Sequence, residues 1–183
     1  MLISILFILL GSAVITAVSR RSLANPRSHG FYRFFAFETL LVMVVLNAPV
    51  WFDDPLALHQ QISWFFMIAS LILVIHGLDL ILILGLPEGS LPNSPNLPFE
   101  NTTRLVVIGA YRFIRHPMYA SVILLTWGVA MKAPTARSLC LSLVIMVFLY
   151  VTARVEEREN IERFGEQYRQ YMKKSRMFIP FVF

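Results

Sequence analysis

This sequence is poor in charge, holds one cysteine and has no Gly-x-Gly, and each shortage removes a class of protein. Charged residues are 15% of the 183, against about 25% in an ordinary soluble domain. Hydrophobic residues reach 57% and mean hydropathy is +0.65, so the chain belongs in a bilayer. Cys140 lies inside an apolar run, which excludes a disulfide framework and a thiolate zinc cluster and leaves packing as its role; no metal site is expected. Without Gly-x-Gly, a soluble Rossmann-type nucleotide site is not on offer. The net charge of +5 is read by position, because the basic residues flank apolar runs; that pattern suits a membrane and not nucleic acid.

What is there is a series of apolar runs. Leu2 to Val18 makes about 25 Å of helix at about 1.5 Å per residue, enough to span. No basic residue precedes it and Arg20 and Arg21 follow it directly, so it reads as a retained helix and not a signal peptide. Phe34 to Phe52 and Ile62 to Leu84 are the second and third spans, the latter carrying His76 and Asp79 at i and i+3. Ionisable groups in a span are functional candidates by default. The plainer reading pairs these two with each other or with Arg112 or Arg115. Met118 to Met131 and Ser138 to Ala153 are short runs joined by a tight turn at Pro134. The fold class expected is therefore an all-α polytopic membrane protein with about five transmembrane helices, the last two a tight helical hairpin, followed by a cytoplasmic C-terminal amphipathic helix.

Between the third and fourth runs, Pro87, Pro92, Pro95 and Pro98 are too closely spaced for helix or central strand, and an extended loop is expected, a lid over a pocket or a plain linker. If the loop after the first span, the loop ending at His116 and the C-terminal tail share one side, all 16 Lys and Arg residues except Lys132 and Arg137 fall there. The positive-inside rule makes that side the cytoplasm. The chain then divides into 1–84, three spans; 85–117, a cytoplasmic proline-rich loop and Arg-His-Pro turn; and 118–183, the hairpin and a C-terminal cofactor-site helix.

The most informative stretch is Arg104 to Ser121, RLVVIGAYRFIRHPMYAS. Gly109 permits a turn, Tyr111 and Arg112 follow, and Arg115-His116-Pro117 leads into the fourth run. Proline is tolerated at the first helical position and pushes the residue before it out of the α region, so His116 is the expected cap. The N–H groups of Met118, Tyr119 and Ala120 would then face an anion. In the tail, Glu156 and Glu157 sit where the fifth run ends, at about the depth of His116. Beyond them Ile161, Phe164, Tyr168 and Tyr171 recur at helical spacing, as in an amphipathic helix on a membrane surface. Two carboxylates beside Arg112, Arg115 and His116 would make a mixed-charge pocket suited to a zwitterion.

Taken together, GAYRFIRHPMY (Gly109 to Tyr119) and EERENIERFGEQYRQYMKKSRMFIP (Glu156 to Pro180) resemble the isoprenylcysteine carboxyl methyltransferase and phospholipid methyltransferase superfamily of integral membrane enzymes. PFENTTRLVVIGAYRF before them is similar to a bacterial branch, which implies a prokaryotic plasma membrane with the site facing the cytoplasm. The resemblance implies S-adenosylmethionine as methyl donor, held by Gly109, Tyr111, Arg115, His116, Pro117, Tyr119, Glu156 and Glu157. Arg176 stands at the family's late arginine, implying with Glu157 a catalytic role at an acceptor carboxylate or phosphate. Ser121 and Asn160 stand where glycine and leucine are commoner, and the acceptor class stays open. The partners implied are membrane lipids and a lipophilic acceptor entering from the bilayer, a prenylcysteine-type carboxylate or a lipid headgroup. Two other functions compete: a membrane reductase placing a nicotinamide cofactor's phosphates on Arg104, Arg112 and Arg115, and a non-enzymatic membrane scaffold.

Overall fold

A computed structural model describes residues 2–89 and 94–182. Its helices are α1 Leu2–Leu23, α2 His29–Asn47, α3 Leu58–Leu84, α4 Pro117–Lys132, α5 Ala136–Phe164 and α6 Glu166–Lys174. Short 3-10 turns occupy Ala48–Val50, Pro98–Glu100 and Gly109–Arg112. The protein is an all-α polytopic membrane protein. Leu2–Leu23, His29–Val50, Leu58–Leu84 and Ala136–Phe164 are long and apolar enough to cross a bilayer. α4, with 16 residues, reaches only about 24 Å.

The helices outrun the apolar segments because polar residues at their ends find partners inside the protein. α2 begins at His29, five positions before Phe34, and its buried His29 and Arg33 meet carboxylates from distant segments. The largest difference from expectation is at the C-terminus. The sequence predicts a span ending near Ala153 and a separate surface helix, but α5 continues through Glu156 and Glu157 to Phe164. Nothing from Arg154 to Phe164 breaks a helix, and Gly165, at φ 57°, is where the chain turns. α6 does not merely lie on a surface, since Tyr168 and Tyr171 are buried. Of the proline-rich lid, Pro92 lies outside the described residues; Pro87 pairs with Thr102 in an isolated bridge.

α3 packs on α4 and α2 on α5, while α1 touches α2 and turns Leu6, Leu10 and Val14 outward. The α3–α4 contact is close because its residues are small, as membrane helix interfaces favour. A Cβ on Gly128 would stand 2.7 Å from Met67 Cγ. Ser63 Oγ donates to the Gly128 carbonyl at 2.7 Å and Ser70 Oγ to the Ser121 carbonyl at 2.7 Å. Ala36, Met43, Val129, Ile145, Leu149 and Ala153 form the core. Lys132, read from sequence as a loop residue, ends α4 and is buried. It donates to Gln60 Oε1 at 2.8 Å and lies 3.8 Å from the centroid of the Trp64 ring.

Candidate active site

Everything expected of the Arg-His-Pro turn depends on how the chain approaches it. Gly109 has φ 59°, and a Cβ there would meet His76 Nε2 at 2.8 Å, so the position requires glycine. The Ala110 N–H donates to His76 Nε2 at 3.3 Å. His76 therefore braces this turn from α3 and does not pair with Asp79, Arg112 or Arg115; the turn's backbone N–H is the nearer partner. The Tyr171 hydroxyl donates to the Tyr111 carbonyl at 2.5 Å, fixing the turn from α6. Burial and the nearby Glu156 push the Tyr111 phenol well above its usual range, so it stays neutral.

His116 is the N-cap residue of α4 and Pro117 follows at the helix start. Its ring makes no capping bond; its carbonyl accepts the Ala120 N–H at 2.9 Å, so of the three N–H groups expected to face an anion, that of Ala120 is spent. The ring is buried, stacks on Tyr119 at 5.5 Å between centroids and stands between two acids. Nδ1 is 3.7 Å from Glu156 Oε2 and Nε2 is 3.6 Å from Glu157 Oε1. Both separations exceed hydrogen-bond length, and Nε2 is a buried nitrogen with no hydrogen-bond partner.

The two glutamates have parted roles. Glu157, 2% exposed, accepts from Arg115 Nε at 2.7 Å. Arg115 Nη1 donates to the Ser175 carbonyl at 2.6 Å. The C-terminal strand-like segment is also stitched by backbone bonds, Arg115 N to Arg176 O at 2.7 Å, Arg176 N to Phe113 O at 2.9 Å and His116 N to Met177 O at 3.2 Å. Arg115 and Glu157 thus fasten the tail against the turn. Arg176 lends its backbone to that seam while its side chain is exposed.

A cavity of about 220 Å³ opens beside His116. Arg115, His116, Tyr111, Tyr119 and Glu156 line it, whereas Gly109, Pro117, Glu157 and Arg176 do not. Asn160, Phe164, Tyr168 and Tyr171 complete the wall near Glu156. Burial raises the Tyr168 and Tyr171 phenols above their usual range, which keeps this wall aromatic and uncharged. Towards the bundle the wall is apolar, with Phe37, Val74, Met118 and Val122.

Sequence reasoning missed a second ionic group on the cavity wall. Arg33 of α2 is paired with Glu100 of the loop. Glu100 also accepts the Leu97 N–H at 2.8 Å and lies 3.4 Å from His29 Nε2. His29 in turn contacts Glu159 of α5 at 2.5 Å. Burial alone would raise the Glu100 carboxyl, but Arg33 and His29 outweigh it and hold it at about 2. The signal available was Arg33 one helical turn before the apolar Phe37, with Glu100 the acid nearest the Arg-His-Pro turn on its N-terminal side. Nothing in spacing links positions so far apart.

The phospholipid methyltransferase family matches residues 95–167, the stretch that builds most of this site. Methanethiol S-methyltransferase 1 of Bradyrhizobium diazoefficiens is 39% identical over 70 residues, 38% of this chain and 24% of that one. Methanethiol S-methyltransferase of Pseudomonas deceptionensis is 30% identical over 86 residues, 47% of this chain and 31% of that one. Protein-S-isoprenylcysteine O-methyltransferase of Xenopus laevis is 30% identical over 167 residues, 86% of this chain and 57% of that one. The chain thus spans between about a quarter and somewhat over half the length of these curated relatives. No solved structure matches it. With the Arg-His-Pro turn, the glutamate pair and the membrane helices all in place, residues 95–167 match the phospholipid methyltransferase family, and the chain is similar to members of the isoprenylcysteine carboxyl methyltransferase and phospholipid methyltransferase superfamily.

Proposed function

We propose that this protein is an integral membrane methyltransferase that uses S-adenosylmethionine and methylates a lipophilic acceptor. The observation that carries the reading is the buried His116 beside Glu156, with Nδ1 3.7 Å from Oε2, both in the wall of an aromatic cavity. The residues fit the donor. A carboxylate at the wall suits its ammonium and sulfonium charges, the faces of Phe164, Tyr168 and Tyr171 suit an adenine or a cation, and His116 Nδ1, on the Glu156 side of the ring, suits a polar group of the ligand. When bound, the donor supplies an electrophilic methyl on a sulfonium, and transfer leaves an uncharged thioether while the acceptor loses its proton if it carries one.

The protein's contribution is orientation and the exclusion of water, which dominate a transfer of this kind. Glu156 and Asn160, one turn apart on α5, hold the polar end of the donor, with His116 beside Glu156. Arg115 and Glu157 position His116 by fixing the tail beneath it, and Arg176 contributes to that seam. The acceptor occupies the apolar half between α2, α3 and α4 and reaches it from the lipid. The loop between α3 and α4 covers the site as a lid. The site end of the bundle faces the cytoplasm of a prokaryotic cell, with the N-terminus on the opposite face.

Binding of S-adenosylhomocysteine to purified protein in detergent, with a nicotinamide dinucleotide phosphate as the competing ligand, tests the donor. Saturable binding of the first alone is expected, and binding of the second alone refutes the reading. For topology, cysteines placed at Asp54 and Lys174 in a Cys140→Ser background are expected to label from opposite faces. Labelling of both from outside intact cells refutes the orientation.

A further inference from the structure

The cavity wall carries three arginines, and their partners bear on the head the acceptor can have. Arg115 is committed to Glu157 at 2.7 Å and to the Ser175 carbonyl at 2.6 Å. Arg104 lines the cavity and is exposed. Arg33 is the cation buried next to the apolar half, one turn from Phe37 on α2, and is 6% exposed. Its guanidinium is already paired with the Glu100 carboxylate. The second acid on the wall is Glu156, on the donor side beside His116.

We propose that Glu100 acts as a built-in counter-ion that blocks Arg33, and that this pair restricts the acceptor to one uncharged at its reacting end, an alkyl thiol and not a carboxylate. This rests on the methyl-transfer reading above and concerns the other half of the same cavity. A carboxylate brought into a low-dielectric chamber needs a cation that is not already neutralised. Taking Arg33 would mean expelling Glu100, which the Leu97 N–H, His29 and Arg33 hold together. The loop backbone is fixed as well, because Arg163 Nη1 donates to the Glu100 carbonyl at 2.9 Å. An uncharged thiol asks for none of this: it is accepted by Phe37, Val74, Met118 and Val122, and its S–H proton passes to the Glu156 carboxylate as the sulfur takes the methyl group. Arg33 and Glu100 are thus specificity-determining residues that work by excluding the wrong head group.

The test is equilibrium binding to the full-length protein in detergent, using two probes of equal chain length, radiolabelled octanoate and uncharged octyl methyl sulfide, with S-adenosylhomocysteine as the donor-site control. Wild type is expected to bind the sulfide at least about tenfold more tightly than octanoate, and Glu100→Gln to gain about ten- to a hundredfold for octanoate, the range of one charge-assisted hydrogen bond. The sulfide affinity stays unchanged, and Arg33→Gln combined with Glu100→Gln loses the gain. Octanoate binding to wild type as tightly as the sulfide, or failure of both probes to bind it, overturns the proposal. A Glu100→Gln protein that keeps S-adenosylhomocysteine binding and gains nothing for octanoate overturns it too. If that variant does not fold, the wild-type ratio decides. Failure of the methyl-transfer reading appears separately, as absent S-adenosylhomocysteine binding in wild type.

Discussion

The two ends of the helix bundle each bury positive charge, and they do so in opposite ways. At the site end, Arg33 and Arg115 are matched by Glu100 and Glu157, acids from segments far away in sequence. At the other end Lys132 is held by the Gln60 amide oxygen and the Trp64 and Trp51 rings, and no acid pairs with it among the described residues. Ion pairs join irregular structure, a loop and a tail, to helices. The neutral box closes a contact between helices that small residues already hold together. Breaking a charged pair therefore leaves a buried carboxylate with only a weaker second partner, His29 for Glu100 and Arg154 for Glu157, whereas removing the lone cation leaves only an amide and two rings.

Four experiments sharpen or break this contrast, in order of expected size. Arg115→Ala leaves buried Glu157 with only the half-exposed Arg154 at 3.4 Å and frees the Ser175 carbonyl, so a loss of about 3 kcal/mol, the low end for breaking a buried pair, is expected, seen as a large fall in Tm in detergent. A change too small to measure would mean that the tail is held elsewhere. Next is the acid response of Glu100. Its carboxyl is lowered from 4.5 to about 2, so its stabilisation is complete above the unfolded value near 4.5 and is lost as pH falls through about 2. The shift corresponds to roughly 3 kcal/mol. Unfolding followed against pH is expected to show this slope in wild type and to flatten it in Glu100→Gln.

Glu156→Gln is expected to leave Tm unchanged and weaken S-adenosylhomocysteine about ten- to a hundredfold, since it removes a charge that faces the cavity and closes no seam. A fall in Tm with unchanged binding would give Glu156 the role assigned to Glu157. The smallest effect is expected of Lys132→Met. Replacing a buried charge by an apolar chain of similar length is often neutral, so a stability change within about 1 kcal/mol is expected. A loss as large as that of Arg115→Ala would erase the difference between the ends.

Much of the local geometry was legible because its parts are close in sequence. Gly109, His116 and Pro117 announce a turn and a helix start through their own backbone restrictions, and the glutamate pair lies at the edge of an apolar run. The division of labour between neighbours was not legible. Adjacent residues on a helix point about 100° apart, so of Glu156 and Glu157 one reaches the cavity and the other faces Arg115. The sequence also placed Arg176 among the working side chains, but the backbone pairing with Phe113 and Arg115 turns that side chain outward.

The sequence by itself determined that the chain enters a bilayer, that its helices are set off by charged ends, and that a polar turn caps the fourth of them. Those are properties of composition, periodicity and backbone restriction, all written within a few residues. Only the tertiary structure decided that α5 carries its helix past the apolar layer into the site, that His76 braces the turn, and that Arg33 meets Glu100. Such choices follow from which distant carboxylate or carbonyl satisfies a buried donor, and that is fixed when the helices pack.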